Sequence, residues 1–144
     1  PGLREEWPDL PVYCHPADWG QGDATGMFGQ PVPTVRSFGD ITPYQEGDVV
    51  EMDGIKIEVL ETPGHTPGSV TLRAEDVLFT GDTLFAGSMG RTDFEGGDGE
   101  AMAASLRRLA RLEGDYQVLP GHEGRTTLER ERQTNYCVRA ALRD

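Results

Sequence analysis

Three times in this chain a run of strand-forming residues leads into a glycine, and the residue after that glycine can ligate a metal. Ile55-Lys56-Ile57-Glu58-Val59-Leu60 runs into Thr62-Pro63-Gly64-His65-Thr66-Pro67-Gly68-Ser69, Val77-Leu78-Phe79-Thr80 into Gly81-Asp82-Thr83, and Val118-Leu119-Pro120 into Gly121-His122-Glu123. Glycine and proline at a strand end let the backbone turn sharply and hold the next side chain rigidly above the sheet. Any one of these turns would be an ordinary solvated loop or Asx turn. Three in succession constrain the fold to a sheet whose strand ends present His65, Asp82 and His122. Neutral imidazole and carboxylate are ligands for Zn²⁺ or Fe²⁺, and one carboxylate has two oxygens with which to bridge a pair of ions.

The rest of the chain supplies the other elements of such a sheet. Val49-Val50-Glu51-Met52 and Ile55–Leu60 alternate around Asp53-Gly54, which predicts a two-residue hairpin. Val70–Arg73 and Val77–Thr80 are two more strands with a tight turn between them. Met102, Leu106, Leu109 and Ala110 recur at helical spacing from about Glu100 to Leu112, with Asp98 and Glu100 at the helix's positive end and Gly114 as its stop. Gln117–Pro120 is a last strand, and Thr126 or Thr127 caps one final helix from Leu128 toward Leu142. Before Asp48 the pattern is weaker. An acidic, helix-compatible opening that reads as cut precedes the short run Leu10–Cys14, and residues 16–46 form a long Gly- and Pro-rich loop with a helical turn near Ala17-Asp18-Trp19. The sum is an α+β fold, a mostly antiparallel sheet covered by helices on one face.

A chain of 144 residues predicts one domain spanning 1–144. Its apolar runs are far shorter than the roughly 18 residues of a membrane-spanning helix, and no address signal opens it, so a soluble, cytoplasmic protein without a membrane partner is expected. The formal charge of −12 repels phosphate backbones and excludes nucleic acid as a natural partner. Cys14 and Cys137 do not form a disulfide framework and are expected to be reduced, with Cys137 a packing residue.

The motifs around His65, Asp82 and His122 resemble the later metal-binding motifs of the metallo-β-lactamase superfamily, and specifically those of its glyoxalase II-like hydrolases. Gly90-Arg91-Thr92-Asp93-Phe94 is similar to a segment shared by small glyoxalase II-like enzymes and persulfide dioxygenases, and Thr126–Glu131 with Thr134-Asn135 is similar to the terminal helix of the short enzymes. The resemblance implies that His65 and His122 each complete one metal while Asp82 bridges both and serves catalysis by orienting the water that attacks a thioester or ester. Zinc is the implied metal, with iron as the alternative. Arg91 and Asp93 are expected either to pair and order the loop beside Asp82 or to form a solvated surface pair, and His15, at a position that is not a ligand in the family, to be structural.

The family's His-x-His-x-Asp-His cluster is not among these residues, whose only histidines are His15, His65 and His122. The resemblance thus corresponds to the C-terminal portion of an αββα fold. It implies a sheet face that a second copy of the chain would cover, giving a homodimer. Three functional classes follow: a hydrolase impaired or inactive as this chain, a catalytically silent member that acts as a structural, dimerising protein, and an iron-dependent oxygenase of the persulfide type.

Overall fold

The computed structural model describes residues 2–19 and 40–143. Its contacts group the chain into Pro1–Tyr44 and Gln45–Asp144, each described here by itself. In the first unit, α1 (Gly2–Glu6), β1 (Tyr13–Cys14), α2 (Pro16–Trp19) and β2 (Thr42–Pro43) follow one another, and β2 lies parallel to β1 with Thr42 opposite Tyr13. Arg4 holds the unit together by donating to the carbonyls of Leu10, at 3.1 Å, and Asp40, at 2.8 Å. His15 Nδ1 accepts the Ala17 amide at 3.1 Å, a local structural role at the start of α2. Most of the long loop expected over residues 16–46 lies outside the described residues.

The second unit is built on a six-stranded sheet. In chain order its elements are β3 (Val49–Met52), β4 (Ile55–Glu61), β5 (Val70–Ala74), β6 (Val77–Gly81), β7 (Leu84–Phe85), β8 (Ser88–Met89), α3 (Gly99–Ala110), β9 (Gln117–Pro120), β10 (Thr126–Thr127), α4 (Leu128–Thr134) and α5 (Tyr136–Ala141). The sheet order is β10-β9-β6-β5-β4-β3, with only β6 and β9 parallel; β7 and β8 form a separate small hairpin. The β3–β4 connection is the hairpin that Asp53-Gly54 predicts. Both residues take positive φ, 51° and 81°, the mirror-image turn whose twist matches the strands it joins. Between β6 and β9 runs α3, the crossover that a parallel pair requires.

Leu78 and Val118 stand opposite each other on β6 and β9 and turn toward the helices, where they pack with Met102, Leu106 and Leu109 of α3, Leu128 of α4 and Val138 of α5, all at most 1% exposed. Each such side chain contributes roughly 1.5–3 kcal/mol by leaving water. The neighbour Phe79 points to the opposite face and is 44% exposed, so helices cover one face as expected. Asp98 caps α3 by accepting the amides of Glu100 and Ala101. At the other end Arg132 donates to the carbonyls of Ala110, Leu112 and Gly114, satisfying groups the helix itself leaves open.

The terminal segment departs from the sequence expectation of one helix from Leu128 toward Leu142. Thr127 is the cap, accepting the Arg130 amide, but the chain breaks at Asn135, whose extended φ and ψ of −75° and 117° end α4 and begin α5. The Asn135 side chain accepts the amides of Cys137 and Val138, the competition with helical bonding that makes Asn a capping residue. Two short elements, the β7–β8 hairpin and β10, are absent from the sequence expectation because they have no periodicity to reveal them. Cys14 and Cys137 are both free, and Cys137 packs at the edge of the core. Among the described residues no helix is long and apolar enough to cross a membrane.

Candidate metal centre

His65, Asp82 and His122 meet at one end of the sheet. Each lies on the turn that follows β4, β6 or β9, and the three turns are bonded to one another. The Thr83 hydroxyl donates to the carbonyl and hydroxyl oxygens of Thr62, each at 3.2 Å, which joins the Asp82 turn to the His65 turn. The Gly121 amide donates to the Gly81 carbonyl at 2.8 Å, which joins the His122 turn to the Asp82 turn. Helix α3 braces the first turn: the Ser105 hydroxyl donates to the Pro63 carbonyl at 2.7 Å and the Asp98 amide to the Gly64 carbonyl at 2.8 Å. Gly64 permits this approach, with φ of 142° and no room for a side chain, since a Cβ there would fall 2.6 Å from Met102.

Asp82 is the centre of the cluster. Its Oδ2 lies 3.3 Å from His65 Nε2 and its Oδ1 lies 3.6 Å from His122 Nε2. Two donors on one tetrahedral ion with bonds of about 2.0–2.2 Å stand about 3.3–3.6 Å apart. Each His–Asp pair therefore has the spacing of two ligands on one ion, and the two pairs share a single carboxylate. Among the described residues no three His, Cys, Asp or Glu side chains are grouped to hold one ion.

The protonation of His65 sharpens this. Its Nδ1 is 2.8 Å from the Arg91 carbonyl, an acceptor only, so Nδ1 carries the proton. In the neutral ring Nε2 is then a lone pair aimed at a carboxylate oxygen, and two acceptors at this distance need a cation or a proton between them. A backbone carbonyl on the remote nitrogen is the usual support for a metal-ligating histidine.

The loop that carries the Arg91 carbonyl is tied by the Arg91 side chain. The guanidinium makes a two-pronged pair with Asp93, both bonds 2.7 Å, and lies 3.8 Å over the Phe94 ring. This hydrogen bonding holds the Asp93 carboxyl down to about 2 and raises the Arg91 guanidinium. The pairing anticipated from sequence is present. Sequence reasoning missed its consequence, which is that the loop delivers a carbonyl to His65, as well as the aromatic walls: Phe94 meets His65 edge-on with centroids 6.2 Å apart, and Phe85 meets His122 edge-on at 5.8 Å. The open cavity above the cluster measures about 450 Å³ and has Phe85, Met89 and Phe94 on its wall beside Arg91 and Glu123.

Comparison with known proteins identifies the family and the fold. Residues 3–122 match the family model of the metallo-β-lactamase superfamily. The chain is 43% identical over 94 residues to hydroxyacylglutathione hydrolase GloC of Haemophilus influenzae, a match that takes in 63% of this chain and 44% of that enzyme. The crystal structure of TTHA1623 in a di-iron-bound form superposes with a TM-score of 0.78 at 39% identity, over 94% of this chain and 68% of that one. ETHE1 from Myxococcus xanthus superposes with a TM-score of 0.75 at 27% identity, over 98% of this chain and 58% of that one. The chain thus spans less than half the length of the Haemophilus enzyme. With 120 of its residues matched by one family model and a third of its residues shared with a di-iron relative of the same fold, the chain belongs to the metallo-β-lactamase superfamily.

Proposed function

We propose that this chain carries the downstream portion of a two-metal hydrolase centre of the glyoxalase II-like type, acting on a thioester or ester. The observation that carries the proposal is the division of labour at Asp82, whose two oxygens each face a different imidazole at ligand-to-ligand spacing. His65 with Asp82 Oδ2 would hold one ion and His122 with Asp82 Oδ1 the other, zinc or iron by the chemistry of these donors. When bound, such a pair lowers the pKa of a water toward neutrality and polarises a carbonyl. Asp82 holds the two donor pairs in register and orients the attacking water. His65 is kept in one tautomer by the Arg91 carbonyl, and Phe85, Met89 and Phe94 give the acyl group an apolar wall that limits access of bulk water.

Elemental analysis of the purified protein, paired with thioester hydrolysis, tests this with His65→Ala and Asp82→Asn beside the parent chain. The expected result is metal bound by the parent with turnover impaired, because the His-x-His-x-Asp-His cluster is not among these residues, and metal affinity at least about 100-fold lower for Asp82→Asn, which weakens two ions at once. A parent chain with neither metal nor turnover would instead be the silent, structural member. The Gly90–Phe94 segment is similar to both branches and so admits a second reading, iron-dependent persulfide oxidation, which would also need a ligand from the upstream cluster; stoichiometric iron and oxygen uptake with a persulfide, without thioesterase activity, would establish it.

We also propose that a second copy of the chain covers the sheet face away from the helices. By register Val59, Leu72, Phe79 and Leu119 form one apolar row across β4, β5, β6 and β9 on that face; Val59 is already buried within the chain, Leu72 and Leu119 are half-buried, and Phe79 is the exposed member that a second copy would cover. Light scattering that finds a monomer at micromolar concentration would refute it.

A further inference from the structure

A buried carboxylate that the proposed chemistry does not use is bonded to the β7–β8 hairpin, which walls the cavity. Glu131 on α4 is 1% exposed, and the three donors it meets are neutral. Its Oε1 accepts from the Thr126 hydroxyl at 2.6 Å, and its Oε2 from the Gly87 amide and the Asn135 side-chain amide, each at 2.8 Å. Taking an ionisable group out of water is expensive and persists only with its hydrogen bonds met. Asn135, fully buried, uses both ends of its side chain. Its oxygen caps α5, while its nitrogen reaches Glu131 and also donates to the carbonyls of Phe85, at 3.3 Å, and Ser88, at 3.0 Å.

All the hairpin groups engaged in this way belong to β7, β8 and the turn between them. That hairpin contributes Phe85, Ser88 and Met89 to the cavity wall. His122 is the least supported of the three clustered side chains: 70% of its side chain is exposed, against 21% for His65 and 29% for Asp82. Besides its approach to Asp82, the His122 ring has an edge-on contact with the Phe85 ring.

We propose that Glu131 and Asn135 are positioning residues for the site: the buried pair anchors the β7–β8 hairpin to the terminal helices, and the hairpin, through Phe85, sets the His122 ring against Asp82. Its relevance to hydrolysis rests on the function proposed above, whereas the placement of the ring does not.

The test therefore reads placement on metal-free protein. In NMR spectra with His122 assigned by His122→Ala, the parent should show a nuclear Overhauser contact between the Phe85 and His122 rings and a protected Gly87 amide. Glu131→Gln should keep both, because its Oε1 can still accept from Gly87 and Asn135 while the rotatable Thr126 hydroxyl turns to accept from the new amide. Asn135→Ser, which can still cap α5 but cannot reach the hairpin, should lose the ring contact and speed Gly87 exchange by at least about tenfold while the core methyl spectrum stays native. Glu131→Leu should do the same, and where it fails to fold Asn135→Ser decides. A folded Asn135→Ser protein with the ring contact and Gly87 protection intact would overturn the proposal, and so would their loss in Glu131→Gln. Absence of metal from the parent would sink the hydrolase reading and leave these results standing.

Discussion

The hydroxyl of Thr83 shares its single proton between the carbonyl and the hydroxyl oxygen of Thr62, at 3.2 Å each, and so ties the turn bearing Asp82 to the turn bearing His65. Both threonines are fully buried, and Thr62 Oγ1 is also 3.1 Å from Thr71 Oγ1 on β5. The polar cluster lies directly under the ligand-type side chains, so its loss is felt both as stability and as geometry.

Thr83→Val keeps the shape and removes the hydroxyl. It leaves the Thr62 oxygens buried with a partner missing, which costs about 1–3 kcal/mol. Urea unfolding should show that loss in the midpoint with an unchanged slope; an unchanged midpoint would mean that the link between the turns carries no free energy.

Gly121→Ala tests how tightly the His122 turn embraces the central carboxylate. A Cβ at this position would lie 2.5 Å from Asp82 Oδ1 and 3.2 Å from the Gly81 carbonyl oxygen. The carboxylate must then shift from His122. Metal affinity measured by competition with a chelating dye should fall about 10–100-fold, the scale of a displaced supporting group. A variant with parental affinity would show that Asp82 does not need this position.

Arg91→Ala removes the clamp with Asp93 and the stack on Phe94 while leaving the backbone carbonyl that meets His65. Because the carbonyl remains but its loop is loosened, a fall of up to about tenfold in metal affinity is expected, with faster hydrogen exchange confined to residues 90–94. Arg91→Lys should fall between the two, since an ammonium cannot reproduce the fork. Equal affinity in all three proteins would remove the loop from any role in ordering His65.

A pH dependence follows from Glu46. The Arg108 side chain of α3 donates to both of its carboxylate oxygens, and this hydrogen bonding lowers the Glu46 pKa below its ordinary 4.5. The ionised form is favoured in the folded state, so the contribution is complete above pH 4.5 and disappears as the pH falls through the lower folded value. Glu46→Gln should be less stable at pH 7 by about 0.2–1 kcal/mol, the range of partly exposed pairs, and the gap should close toward acid. Melting curves at successive pH values read this directly; a gap that widens in acid would reverse the assignment.

Sequence alone determined the features that depend on neighbours a few residues apart. The Asp53-Gly54 hairpin, the Asp98 cap of α3 and the three strand-to-glycine turns that present His65, Asp82 and His122 are local events, settled by backbone preference and short-range hydrogen bonds. Their family pattern was legible for the same reason. What only the tertiary structure decided joins residues distant in the chain: the Arg91 carbonyl on His65 across 26 residues, and the Asn135 amide on Ser88 across 47. The break at Asn135 belongs with these. Nothing in the spacing of Leu128 to Leu142 forbids one continuous helix, but an asparagine that must both cap α5 and hold the hairpin stops α4 where it does. Which turn meets which side chain depends on strand order and on the crossover of α3, and hydrogen bonds of that range leave no periodicity in the chain that forms them.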